Sequence, residues 1–138
     1  MTRLATWLYD ALGISFQKTS AVLSHLGVPV TAGALSQGAQ STGTDLVPVH
    51  KEIVARLNDA DMVVMDEGGW RVGGSGAWLS ATSREAVASN VACGQGFEAA
   101  TELLAEECSA TLVRDGRVVY RSYDKATHQT CIAHLLRR

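Results

Sequence analysis

Cysteine is scarce and poorly spaced for bonding. Cys93, Cys108 and Cys131 are odd in number and form no Cys-x-x-Cys pair. That implies neither a disulfide framework nor a zinc ribbon and favours reduced, mostly buried thiols. Long apolar runs are missing too: none approaches the ~18 residues that a bilayer-spanning helix needs. The N-terminus, Met1 to Trp7, lacks the apolar core and small-residue cleavage site of a secretory signal. The expectation is a cytoplasmic protein with no membrane partner. An excess of positive charge is also absent. Twelve Lys and Arg stand against 14 Asp and Glu, a formal net charge of −2, which excludes a strongly basic nucleic-acid module. It does not exclude a DNA enzyme, because acids gathered for metal binding cancel basic residues elsewhere. The 138 residues and 46% apolar content suit one packed domain with a small appendage.

The stretch around which the chain is organised is Met62-Val63-Val64-Met65-Asp66-Glu67-Gly68-Gly69-Trp70. A short apolar run bounded by glycines reads as a buried strand rather than a helix. Its two acids then stand at the lip of a sheet, where they serve a turn, an ion pair or a metal site, since burial without partners is costly. Ala110-Thr111-Leu112-Val113-Arg114-Asp115-Gly116 has the same grammar.

Before residue 59 the pattern is helical. Leu4, Trp7, Leu8 and Leu12 share one face of a helix over residues 3–12 that stops at Gly13. Ser15 caps a second helix with Phe16, Ala21, Val22, Leu23 and Leu26 as its apolar set, ended by Gly27. A weaker third segment runs from Thr31 to Gln40. Ser41 to Asp45 is turn chemistry, and Asp45 caps a helix with Pro48 in its first turn and Val49, Ile53 and Leu57 on one face. The first helices resemble a helix-turn-helix, but the third segment carries few basic residues, so a plain helical hairpin is favoured over a DNA reader. Residues 1–58 are therefore expected as a helical region, and 59–138 as a second domain.

Strand-like runs follow: Met62 to Asp66, continued or restarted at Trp70 to Val72; a turn at Gly73 to Gly76; Ala77 to Thr82; a connection holding Arg84 and Glu85; and Ala86 to Ala92. These predict an antiparallel meander of three strands. Gly94-Gln95-Gly96 has no Lys-Ser/Thr pair after it, so a loop feeding a helix is preferred to a phosphate loop. The helix is expected over Phe97 to Cys108, with Phe97, Ala100, Leu104 and Cys108 inward and Glu98, Glu102, Glu106 and Glu107 as a solvated face. A crossover helix permits the fourth strand, Ala110 to Arg114, to pair parallel with the first. The segment from His128 starts as a fifth strand and turns into a helix, and its unpartnered apolar end, Ile132 to Leu136, reads as a truncation.

If the fourth strand lies beside the first, Asp66 and Asp115 converge. Paired carboxylates suit hard cations such as Mg²⁺, and two such ions serve phosphoryl transfer. A plain turn at Asp115-Gly116 and a strand end at Asp66-Glu67 are the competing explanations. Glu67 adjoins Asp66 on the opposite side of the strand and is expected to be exposed. Cys131 and His134, at i and i+3, are two potential zinc ligands without a third, which favours packing. Trp70 and Trp78 are expected as core or rim aromatics, and Arg137 and Arg138 as solvated or phosphate-contacting groups.

Taken together, Asp66-Glu67-Gly68-Gly69-Trp70 with Arg71-Val72-Gly73-Gly74, then Trp78-Leu79-Ser80, then Asp115-Gly116 with Tyr120, then Cys131-Ile132-Ala133-His134-Leu135-Leu136-Arg137 resemble, in order, the catalytic region of insertion-sequence 66 family transposases. The helical residues resemble the segment that precedes it. The resemblance implies an α/β, ribonuclease H-like fold, incomplete here: three antiparallel strands, a helix and an acid-bearing fourth strand. It implies a DDE-type site with Asp66 and Asp115 as catalytic, metal-binding acids, Mg²⁺ or Mn²⁺ as cofactor, and DNA (transposon ends and target) as partner. Homo-oligomers and other element-encoded proteins are further implied partners. The family's Thr after Asp-Glu is Gly68 here, its basic residue before the helix is replaced around Gly94 to Gly96, and its N-terminal zinc-binding segment has no counterpart. Its third acid, a Glu, lies beyond the Cys-x-Ala-His-x-x-Arg signature at which this chain stops. The expectation is a fragment inactive alone. The alternatives are a non-catalytic DNA-binding or regulatory fragment and a marginally folded remnant.

Overall fold

A computed structural model describes residues 2–72, 75–83, 87–94 and 96–137, with the backbone alone for 70–72 and 75–83. The expected turn at Gly73–Gly74, the Arg84–Glu85 connection, Gln95, Arg138 and the side chains of Trp70 and Trp78 lie outside the described residues. The protein is mixed α/β and divides into two compact units, Met1–Val49 and His50–Arg138.

The first unit is helical. Helix α1 is Thr2–Leu12, α2 is Phe16–His25, and α3, Ala32–Asn58, begins in this unit. Ser15 caps α2 by accepting a hydrogen bond from the Lys18 N–H. Gly27, at φ 79°, ends it, with Val28 N–H on the Leu23 carbonyl and Gly27 N–H on that of Ser24, a paired arrangement that a left-handed residue makes possible. The apolar face expected inward on α1 is turned out: Leu4, Trp7 and Leu12 are each about half exposed or more. Its buried residue is Ala5, and Thr2 and Thr6 flank it, half-buried. The cause is a close approach. A Cβ placed on Gly38 would stand 2.1 Å from Thr2 Cγ2, so only small side chains fit the seam. In α2 Thr19 is buried and Val22 exposed, as is Leu26 at its C-cap. Tyr9 and Phe16 stack with centroids 4.5 Å apart.

The turn expected at Ser41–Asp45 does not form, and α3 runs through it and through Pro48. The hydroxyls that suggested a turn bond back along the helix instead, Thr42 to the Gly38 carbonyl and Thr44 to that of Gln40. Such back-bonding lets Ser and Thr sit inside helices.

The second unit holds a five-stranded sheet in the order β3-β2-β1-β4-β5, formed by β1 Met62–Val72, β2 Ser75–Ser83, β3 Val87–Ala92, β4 Thr111–Arg114 and β5 Thr127–Thr130. The first three strands are an antiparallel meander; β4 pairs parallel with β1, and β5 parallel with β4. Strand β1 is a single strand, continuous through its glycine pair. Val63, Met65 and Leu112 share one buried face with Ala100, Leu104, Cys108, Tyr120 and Tyr123, and Phe97 meets Tyr123 edge-on at 4.9 Å. Each large side chain fully buried there contributes about 1.5–3 kcal/mol. A second cluster joins Leu57 of α3 to Ala88 and Leu103.

Helix α4 covers only Phe97–Thr101, not the expected stretch to Cys108. Asn58 explains the early stop. Its Nδ2 donates to the Leu103 carbonyl at 3.0 Å and its Oδ1 accepts from Ala105 N–H at 2.7 Å, replacing the bonds a continued helix would make. Ala100, Leu104 and Cys108 are nevertheless buried, and the four glutamates exposed, as the helical pattern predicted. Between β4 and β5 lies a 3-10 helix, Val118–Ser122, that the sequence pattern did not reveal; after β5 comes α5, Ile132–Leu136. Of the free thiols only Cys108 is buried; Cys93 is exposed and Cys131 intermediate, so the expectation of mostly buried cysteines fails. No helix among the described residues is long and apolar enough to cross a membrane.

Replacing Asn58 with Ala strips partners from two main-chain groups and is expected to cost about 1–2 kcal/mol, read as a lower urea midpoint at unchanged m-value. An unchanged midpoint would show that the amide does not hold the 102–105 turn.

Candidate functional site

The site is built by strand register. Met62, Val63, Val64 and Met65 of β1 stand opposite Thr111, Leu112, Val113 and Arg114 of β4. The next residue along each strand is an acid, Asp66 and Asp115. Parallel neighbours lie about 4.8 Å apart, so the register brings the two main chains side by side at the acids. The two acids thus stand at the same level, but only β4 ends there: β1 runs on to Val72, so Asp66 lies within the strand and not at the lip of the sheet as its apolar run suggested.

The carboxylates have different partners. Asp66 is on the face away from the core, with its side chain 55% exposed, and its Oδ1 is 3.5 Å from His134 Nε2 on α5. The Cys131 thiol, at the start of α5, is held below its ordinary range by the His134 backbone N–H and, next, by hydrogen bonding with the His134 side chain. His134 thus faces the Asp66 strand, and among the described residues no group of three or more His, Cys, Asp or Glu is arranged for a metal.

Asp115 is fixed from several sides. Its Oδ1 accepts the Arg117 N–H at 2.9 Å, its Oδ2 is 3.5 Å from Arg117 Nε, and its carbonyl accepts from Arg114 Nη1 at 2.9 Å. Arg114 Nε also donates to His128 Nδ1 at 3.4 Å, while His128 Nε2 lies 3.0 Å from the Tyr123 carbonyl. A neutral His128 with its proton on Nε2 satisfies both bonds.

Glu67 corrects the sequence reading. Its side chain is only 6% exposed, and Oε2 lies 2.8 Å from Arg117 Nη1. Strand alternation accounts for this. Glu67 follows Val63 and Met65 on the inward face, where an acid requires a cation. Beneath it is the buried Tyr120 phenol, kept protonated by burial first and then by Glu67, Asp115 and Asp66. All three acids therefore act on one phenol, that of the motif residue Tyr120, and sequence reasoning missed the residue that pairs with Glu67 and Asp115, Arg117. The signal was available: an acid in phase with a buried apolar stripe, and an Arg two residues beyond Asp115.

Asp66 and Asp115 fit a hard divalent cation in charge and donor type, as two ligands of a larger set. Arg117 leaves room for this, because its bonds occupy two of the roughly four lone-pair positions of the Asp115 carboxylate.

A pH dependence follows from Tyr120. In the unfolded chain its phenol ionises near 10.0, and the fold raises that value. Above pH 10 the unfolded state has lost a proton that the folded state keeps, so stability falls as pH rises. One such group gives a slope of about 1.4 kcal/mol per pH unit. Between pH 10 and 11 the wild type is expected to lose about 1 kcal/mol more stability than Tyr120→Phe in urea unfolding, the full slope being reached only above pH 11. Parallel profiles would contradict a phenol protected by the acid cluster.

A search of curated proteins finds no match. A family model described as the transposase IS66 family matches residues 1–138, and the four motifs that carry the resemblance sit on the β1 strand, the β2 strand, the β4 end and the β5–α5 junction. The chain belongs to the IS66 family of transposases, proteins of insertion-sequence transposition that act on DNA.

Proposed function

We propose that residues 59–138 are part of a ribonuclease H-like, DDE-type catalytic domain preceded by a helical region over residues 1–58, and that Asp66 and Asp115 are two of its catalytic, metal-binding acids. The observation that carries this reading is the parallel β1–β4 register, which sets Asp66, within β1, level with Asp115, just past the end of β4. Support for the fold comes from the element order: three antiparallel strands, a helix, then an acid-bearing strand beside the first.

Asp66 and Asp115 would hold Mg²⁺ or Mn²⁺. When bound, such ions activate an attacking water or DNA 3′-hydroxyl and stabilise the leaving oxygen of a phosphodiester. The chain's own residues hold the acids ready. Arg117 and Arg114 fix Asp115, His134 faces Asp66, and buried Glu67 is committed to Arg117 rather than offered as a ligand. Two carboxylates alone make a weak site.

The test is Mn²⁺ titration followed by calorimetry or by the electron-spin signal of free Mn²⁺. The wild type is expected to bind in the millimolar range or tighter, and Asp66→Asn and Asp115→Asn each to weaken binding at least about tenfold, or about 1.4 kcal/mol. Equal binding by all three proteins would remove the assigned site. Metal-independent DNA binding that survives both substitutions would favour a non-catalytic DNA-binding fragment instead.

A further inference from the structure

We infer that Arg117 is a positioning residue for Asp115, braced by the buried Glu67, so that one ion pair sets the relation between the two acids. The inference rests on the metal-binding reading of Asp66 and Asp115 above. Arg117 contacts both oxygens of the Asp115 carboxylate, Oδ1 through its main-chain N–H at 2.9 Å and Oδ2 through Nε at 3.5 Å. The other end of the same guanidinium reaches Glu67 Oε2 at 2.8 Å.

Glu67 is bonded covalently to Asp66. The path Asp66–Glu67–Arg117–Asp115 therefore ties the middle of β1 to the turn after β4 by a route independent of the strand ladder. Burial makes the tie stiff. The Glu67 side chain is 6% exposed and stands over Tyr120, itself 1% exposed. A carboxylate there has little freedom to leave its cation, because an unpaired buried charge is costly. The planar fork of arginine matters as well, since Nε and Nη1 address two different carboxylates at once, which a lysine ammonium cannot reproduce. Residues that orient metal ligands typically change metal affinity 10–100-fold when lost.

Charge and geometry make opposite predictions, which allows a clean test. Removing a cation beside two acids should, on charge alone, tighten Mn²⁺ binding. Loss of positioning should weaken it. Mn²⁺ affinity is measured for the full chain as wild type, Arg117→Ala, Arg117→Lys, Glu67→Gln and the double variant Arg117→Ala with Glu67→Gln, at a temperature where circular dichroism shows each folded. The expected result is about tenfold weaker binding for Arg117→Ala. A loss is also expected for Arg117→Lys despite its retained charge, as is no further loss when Glu67→Gln is added to Arg117→Ala. Should Arg117→Ala not fold, Arg117→Lys and Glu67→Gln carry the same comparison.

Unchanged or tighter binding by the Arg117 variants, with the wild type binding and the Asp66→Asn and Asp115→Asn variants not, would overturn the positioning role and leave the two-acid site standing. Equal additive losses from Glu67→Gln in both backgrounds would also overturn it, because a charge effect does not depend on Arg117. Wild-type protein that takes up no Mn²⁺ would overturn both.

Discussion

The parallel pairing of β1 with β4 is the constraint on which the rest of the site depends. Parallel strands need a crossover connection, and the chain supplies one between β3 and β4: the short α4 and the turns after it, which pack Ala100, Leu104 and Cys108 onto Val63, Met65 and Leu112. The register fixed by that packing cannot slip by one residue without moving an apolar side chain out of the core and an acid into it. The level at which Asp66 and Asp115 stand is thus set by the burial of Val63 and Leu112, both fully enclosed. The placement of the two acids depends on hydrophobic contacts several residues before them.

Alternation along β1 then gives its two adjacent acids opposite environments. Asp66 emerges on the exposed face near His134; Glu67 enters the interior above Tyr120. An inward acid at this position would be a liability without Arg117. With it, the acid becomes an anchor. The pair is partly open, since Arg117 is 36% exposed, so its value lies more in orientation than in stability.

Much of this was legible in the sequence, because strands and their order follow local signals. The meander, the crossover and the acid-ending fourth strand were read from short apolar runs and glycine punctuation. What failed depended on partners far along the chain. The helix after Phe97 stops early because Asn58, 45 residues away, takes the Leu103 carbonyl. The turn at Ser41–Asp45 is overruled by hydroxyls that bond within α3. The apolar face of α1 points outward, and Thr2 instead lies close against Gly38 of α3. Glu67 was misread for a simpler reason: the alternation rule was used to separate it from Asp66, but not to place it in phase with Val63 and Met65. At the site the two aspartates were visible as motif residues, whereas Arg117 acquires its role only when β4 and β1 are side by side.

The central claim is that register, not any single residue, creates a cation site from Asp66 and Asp115. Its most direct test is the anomalous scattering of crystals grown with Mn²⁺ at millimolar concentration. A peak within coordination distance of oxygens from both Asp66 and Asp115 is the predicted result, with Glu67 still on Arg117. Manganese bound elsewhere, for instance on the exposed glutamates 102, 106 and 107, with no density between the two aspartates, would contradict it.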